Sequence, residues 1–286
     1  MERERWEKVY RLLMALDTHE FRGVFQAAAV LAVYFWALVH DRPVSWACKP
    51  VNWDRMPFRK LPSQPTMSRR LKQADAIALW QRVEQELAAG LKEETCLKMV
   101  DGKPLPVSPS SKAPDARWGR ATKGMAKGYK LFALWGRGPF PIAWRVDSMN
   151  VSEENMAAEM FLQLKGSGGY LLGDKLYDSN RLHDIAASVG HQLIAARKRN
   201  GKGIGHHPHS PARLRSIELL QGTFGRDLYD LRRNIEHNFG NLTNFGGGLS
   251  PLPSWVRRLS RVRLWVGGKL ILNALHRRQT AATAVE

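Results

Sequence analysis

Two short segments, GYLLGD (169–174) and QLIAAR (192–197), are almost wholly apolar, and SNRLHDIAASVG (179–190) lies between them. Runs this short and this apolar predict strands covered on both faces. The segment between them has helical apolar spacing, a serine at its start and a glycine at its end, so it predicts a helix. Buried strand, helix, buried strand requires a sheet with helices against it. The flanking segments extend the pattern. TCLKMV and KPLPV lie on either side of Asp101-Gly102, and GYKLFALWG and FPIAWRV on either side of Gly136-Arg137-Gly138; both read as hairpins. Ser152 to Leu164 reads as a helix capped by Ser152, with Glu153 and Glu154 in its first turn. Lys198 to Thr223 reads as irregular and basic. The order of elements is that of a mixed sheet flanked by helices.

Upstream the pattern is different. ERWEKVYRLLMAL is amphipathic, and VFQAAAVLAVYFWALV, Val24 to Val39, is apolar nearly all round. The second run falls short of the ~20 residues a membrane span needs and contains Gln26, so it predicts a buried helix of a helical domain. A Pro- and Trp-rich stretch follows. LPSQPTMSRRLKQ then offers a turn, a polar cap at Thr66 or Ser68 and a basic first turn. That suits the second helix of a helix-turn-helix, or an ordinary basic surface helix. The expected organisation is a helical DNA-binding or dimerisation domain over 1–90 and an α/β domain over 91–286, closed by the helical segment WVRRLSRVRLWVGGKLILNALHRR.

Charge narrows the class of partner. Forty-four Lys and Arg against twenty-six Asp and Glu give +18 over 286 residues. So large an excess points to a polyanion, most simply nucleic acid. Arg69, Arg70, Arg120, Lys123, Lys127, Lys198, Arg199 and Arg257 are the candidate phosphate contacts. Cys48 and Cys96 make neither a disulfide framework nor a zinc pattern. The His206-His207-Pro208-His209 tract reads as a solvated or DNA-facing loop. A cytoplasmic, nucleoid-associated protein with no membrane partner is expected.

LYDLRRNIEHNFGNL, Leu228 to Leu242, reads as one helix that packs by Leu228, Leu231, Ile235, Phe239 and Leu242. On its shoulder stand Tyr229, Arg232 and Glu236. Asp101 ends the first expected strand, and Asp174 ends GYLLGD. Ends of central strands are where such sheets build sites. A helix docked by its apolar stripe would bring Glu236 towards both aspartates. Three carboxylates without Cys or His suit Mg²⁺ or Mn²⁺, and two such ions serve phosphoryl transfer. Arg232 would hold a phosphate and Tyr229 would stack on or hydrogen-bond the nucleic acid. Each residue also has a plainer reading: Asp101 as part of a turn, Asp174 as a helix cap, Glu236 as the i−4 partner of Arg232. Asp115, Asp147 and Asp178 are competing carboxylates, and Asp147 also ends a strand.

Tyr229, Arg232 and Glu236 have the spacing of the last catalytic region of DDE-type bacterial insertion-sequence transposases, which the sequence resembles. That signature continues with a lysine seven residues on, where this chain has Thr243. GYLLGDKLYDS resembles the second-aspartate motif and KMVDGKPLPVS the first. PDARWGRATKGMAKGYKLFALW resembles the basic stretch and strand after it. The resemblance runs from about Leu91 to Arg278. It implies an RNase H-like domain, here with a mixed five-stranded sheet, and a catalytic and metal-binding set of Asp101, Asp174 and Glu236 using Mg²⁺ or Mn²⁺. It also implies double-stranded DNA substrates, namely terminal inverted repeats and target DNA, cut and joined by a homodimer or higher assembly. Two rival readings are a non-catalytic DNA-binding descendant and an RNase H-like nuclease without strand transfer.

Overall fold

The computed structural model describes residues 2–18, 24–89, 96–164, 168–198, 203–204, 208–245, 248–249 and 251–283. Arg199, His206 and His207 lie outside the described residues. The chain forms two compact units. One comprises Met1–Ala89, Leu242–Val256 and Leu264–Glu286; the other comprises Gly90–Asn241 and Arg257–Arg263.

The first unit is helical. Helices α1 (Glu2–Leu16), α2 (Ala27–Val39), α3 (Val44–Ala47), α4 (Gln64–Arg70) and α5 (Ala74–Ala88) come from the N-terminal part, and most of the C-terminal helix Leu259–Thr283 joins them. Twelve of the thirteen residues of α2 are buried, so its all-round apolarity is that of a helix enclosed by protein. Among the described residues no helix is long and apolar enough to cross a membrane. The Trp-rich stretch stacks against this helix through Trp46 and Trp53 on Trp36, and three indole N–H groups are spent on backbone carbonyls. Trp36 donates to Asn52 O at 2.9 Å and Trp53 to Ala47 O at 2.8 Å, while Trp6 of α1 donates to Ala32 O at 2.7 Å. Lys269, fully buried, donates to Leu38 O at 2.9 Å and to the Asp41 carboxylate at 2.7 Å. Its neighbour Gly268 is a close-approach site: a Cβ there would come within 2.7 Å of the Leu38 side chain.

The second unit is built on a mixed sheet. Its elements, in order, are β1 (Leu97–Pro106), β2 (Arg117–Ala121), β3 (Gly124–Trp135), β4 (Ala143–Ser148), α6 (Glu153–Phe161), β5 (Gly169–Gly173), α7 (Asn180–Ser188), β6 (His191–Ala195), α8 (Pro211–Leu219) and α9 (Thr223–Asp230). They are followed by α10 (Arg233–Asn244) and α11 (Leu259–Thr283), both of which run into the first unit. The six strands are ordered β2-β3-β1-β5-β6, with β4 also paired to β3. Pairings among β1, β2, β3 and β4 are antiparallel; β1, β5 and β6 run parallel. This is the expected RNase H-like arrangement, with one strand more than expected. One face carries the main core, where Val100, Phe132, Leu134, Leu171 and Leu193 meet Met156, Phe161, Leu182 and Ala186 of α6 and α7. Its apolar contacts are what hold the strands at a fixed register.

Four local expectations are corrected. Asp101-Gly102 is not a turn: β1 runs straight through it, with Asp101 opposite Ala133 and Gly102 opposite Phe132. The glycine serves close packing, since a Cβ there would lie 3.0 Å from the Lys130 side chain. The stretch 198–223 is not all irregular, because α8 starts at Pro211 behind a Ser210 cap. The helix expected over 228–242 is interrupted at Leu231 and Arg232, between α9 and α10. Leu231 is 44% exposed and leaves the packing stripe, whereas Ile235 and Leu242 are fully buried.

Candidate functional site

Register puts two carboxylates side by side. β1 and β5 pair in parallel with Leu97 opposite Tyr170 and Met99 opposite Leu172. Two residues further on, that register sets Asp101 level with Asp174, just past the last residue of β5. Residues two apart in a strand share a face, so Asp101 projects from the face that carries Met99, and Asp174, beyond the end of β5, is near enough for its charge to raise the Asp101 carboxyl. Asp174 also caps the short 3₁₀ turn Lys175–Tyr177, accepting from Leu176 N–H at 2.7 Å. Asp101 accepts from Gly102 N–H at 2.7 Å.

The face is roofed by α10. Phe239 meets Trp135 edge-on at 6.5 Å, and Lys103 sits 6.0 Å from the Phe239 ring. Trp135 pairs with Met99, two residues before Asp101, and Lys103 is two residues after it. Phe239 therefore spans the aspartate's position along the strand, and Glu236 stands one helical turn earlier on α10.

Burial pushes the Asp101 carboxyl up to about 6, against the lowering effect of the Gly102 N–H; the negative charges of Asp174 and Glu153 add to the rise and Arg232 opposes it. Arg232 thus lies within electrostatic reach of the aspartates. The same guanidinium donates to Glu236 Oε1 at 3.3 Å and stands 6.0 Å from the Tyr229 ring. Burial raises the Tyr229 phenol; Arg232 and the Ala196 backbone oppose the rise and Asp174 adds to it. Tyr229, Arg232 and Glu236 therefore remain a contiguous group although the helix beneath them is broken. Asp101 and Asp174 come together. Glu236 does not join them: its side chain is 63% exposed and is held by Arg232. Among the described residues no three Asp, Glu, His or Cys side chains converge as a ready-made metal cage.

Three residues of this neighbourhood escaped the sequence reading. Lys130 and Glu153 form an ion pair at 2.6 Å, and Tyr177 is buried close to Glu153. Burial raises that phenol well above its usual range, and the charges of Glu153, Asp101 and Asp174 add to it. The signal for the pair was Lys130 itself, a cation beside the apolar run Leu131–Trp135, which needs a counter-charge when buried.

The competing carboxylates have structural partners. Asp147 accepts from Ser148 N–H at 2.7 Å and pairs with Arg263 at 3.2 Å. Asp115 accepts from Leu259 N–H at 2.8 Å. Asp178 takes a two-pronged grip from Arg213, at 2.6 and 2.9 Å, with Lys198 N–H at 3.1 Å. Of the candidate phosphate contacts, Arg69, Arg120, Lys123, Lys198 and Arg257 are exposed. Lys127 is half-buried and donates to Ser111 O. Arg70 is turned inward, paired with Asp75 at 2.5 Å and bonded to Phe25 O at 2.9 Å, so it is a structural residue.

One consequence is measurable on the protein without metal. Asp101 binds its proton more tightly folded than unfolded, so its contribution is fully present below the ordinary carboxylate pKa near 4 and is lost as pH rises through about 6. The cost above pH 7 is up to about 3 kcal/mol. Asp101→Asn is expected to melt above wild type at pH 8 and level with it at pH 4. A gap that does not change with pH would refute the burial of this charge.

A family model described as the transposase DDE domain matches residues 92–266. No curated protein matches the sequence.

Proposed function

The chain belongs to the transposase DDE-domain family, and from that premise we propose that it is an insertion-sequence transposase. It binds the terminal inverted repeats of its own element, cuts DNA at their ends, and joins the freed 3′ ends to target DNA. The observation that supports this reading is the proximity of Asp101, on β1, to Asp174, which follows β5: the Asp174 charge helps to raise the Asp101 carboxyl.

The donor set fits a hard divalent cation. Mg²⁺ is commonly held by one or two carboxylates together with substrate phosphates, without a full protein cage. Asp101 is raised mainly by burial, and the neighbouring negative charges of Asp174 and Glu153 add to it, a setting that a bound cation would relieve. Asp101 and Asp174 would hold Mg²⁺ or Mn²⁺. When bound, such an ion would activate the attacking oxygen and stabilise the leaving one. The remaining work is that of the chain. Arg232, whose charge reaches Asp101 and whose guanidinium holds Glu236, grips a phosphate. Glu236 is the third acidic residue, brought towards the pair when Arg232 exchanges it for phosphate. Tyr229 flanks the strand being cut. A water or a 3′-OH attacks phosphorus and the opposite P–O bond breaks, so cutting and joining use one chemistry.

The helical unit supplies end recognition, and two ends held for joining call for a dimer or higher assembly. Phosphate contacts dominate affinity in this reading. Binding to terminal-repeat DNA should weaken steeply with salt, with a log–log slope of about −0.9 per phosphate neutralised. A flat salt dependence in gel shifts would remove nucleic acid as the partner.

A further inference from the structure

The β2–β3 ribbon has an exposed apolar spot set among cations. Residues Gly124–Ala126 of β3 pair with β2 alone, since the pairing of β1 begins at Gly128, that of β4 at Tyr129, and Val107 N–H reaches no further than Lys127 O. The tip of the hairpin therefore extends beyond those two strands as a two-stranded ribbon. Trp118 pairs with Lys127 and Arg120 with Met125. Paired residues share a face, and Trp118 and Arg120 are two apart, so all four stand on one side. The other side lies against backbone: a Cβ on Gly119 would come within 2.3 Å of Met149 O. On the open side Trp118 is 53% and Met125 67% exposed. From Arg117 to Gly128 there are four cations and no carboxylate, and Arg117, Arg120 and Lys123 are exposed.

We propose that this ribbon is a stacking platform for unpaired DNA bases, with Trp118 as the stacking surface, Met125 beside it, and Arg120 and Lys123 on the flanking phosphates. An indole bordered by cations and free of acidic residues matches a nucleotide strand with its bases turned out, because the ring takes the base and the cations take the backbone. An apolar protein partner would gain nothing from the cations, and a duplex without open bases would leave the indole without a stacking partner. The inference rests on the reading of the chain as a DNA-cutting enzyme, and it adds that the enzyme holds single-stranded ends away from the aspartates.

Full-length protein is tested by fluorescence anisotropy on a blunt duplex and on the same duplex with a 3′ single-stranded overhang. Wild type should prefer the overhang. Trp118→Ala should lose about tenfold on the overhang and little on the blunt duplex, and Trp118→Phe should recover most of the loss. Equal preference in wild type and Trp118→Ala overturns the platform while leaving DNA binding intact. Binding to neither probe by wild type overturns the functional reading as well. A change of oligomeric state in Trp118→Ala, with the overhang preference kept, identifies the patch as a contact between copies and also overturns the platform.

Discussion

Asp174→Asn is expected to lower metal-dependent DNA cleavage by about a thousandfold or more, with the fold intact. The estimate follows from the several kcal/mol that a bound ion contributes to a phosphoryl-transfer transition state, at 1.36 kcal/mol per factor of ten. The fold should survive for a specific reason. Asp174 caps the 3₁₀ turn through an oxygen that accepts from Leu176 N–H, and an asparagine keeps such an oxygen. Asp147→Asn is the control: Asp147 also sits near a strand end, but its carboxylate is engaged by Ser148 N–H and Arg263. It should cut at close to the wild-type rate. Cleavage by Asp174→Asn at the wild-type rate, in folded protein, would remove the aspartate pair from the chemistry.

The second large effect concerns the third carboxylate. Glu236→Gln is expected to reduce cleavage by about a hundredfold or more, because the charge is lost at one remove from the aspartates. Affinity for DNA ends should stay equal or rise slightly. Helix α10 should persist, since Ile235, Asn238, Phe239 and Leu242 form its buried side and Gln forms helix almost as well as Glu. Arg232→Ala should behave differently. It removes the partner of Glu236 and a cation whose charge reaches Asp101, so binding and rate should fall together. Gel shifts, cleavage assays and melting curves on both variants separate the two roles. If Glu236→Gln cuts normally, the Arg232–Glu236 pair is a surface ion pair and nothing more.

The parts of this fold legible in the sequence are those encoded locally. β5, α7 and β6 have their apolar runs, their Ser179 cap and the closing Gly190 in the chain itself, and the structure has them where the pattern put them. Asp174 was legible for the same reason, since it follows a buried strand directly. Features that depend on a distant partner were not legible. Asp-Gly is a turn signal, yet Gly102 is a strand residue because β3 pairs with β1 straight across it, with Gly102 opposite Phe132. The break after Asp230 has neither glycine nor proline to mark it; the apolar spacing continues across it, and only the exposure of Leu231 shows that the stripe has moved. Arg70 lies in a basic run, but Asp75 and Phe25 O turn it inward. For α8 the local signal is in the chain, since Ser210-Pro211 is a cap followed by proline in the first turn. The Asp101–Asp174 neighbourhood depends on register between strands far apart in sequence, and neither aspartate's local context states it.

The account stands most directly on whether these two aspartates hold a divalent ion. Calorimetric titration of Mn²⁺ into wild type, Asp101→Asn, Asp174→Asn and Asp147→Asn, each with DNA ends present to supply phosphate, measures this without reference to turnover. Wild type and Asp147→Asn should bind the ion alike, and both Asp101→Asn and Asp174→Asn should bind it at least tenfold more weakly, in line with the loss of one of two charged ligands. Equal affinity in all four proteins would contradict a metal site at the ends of β1 and β5, and with it the mechanism proposed for this transposase.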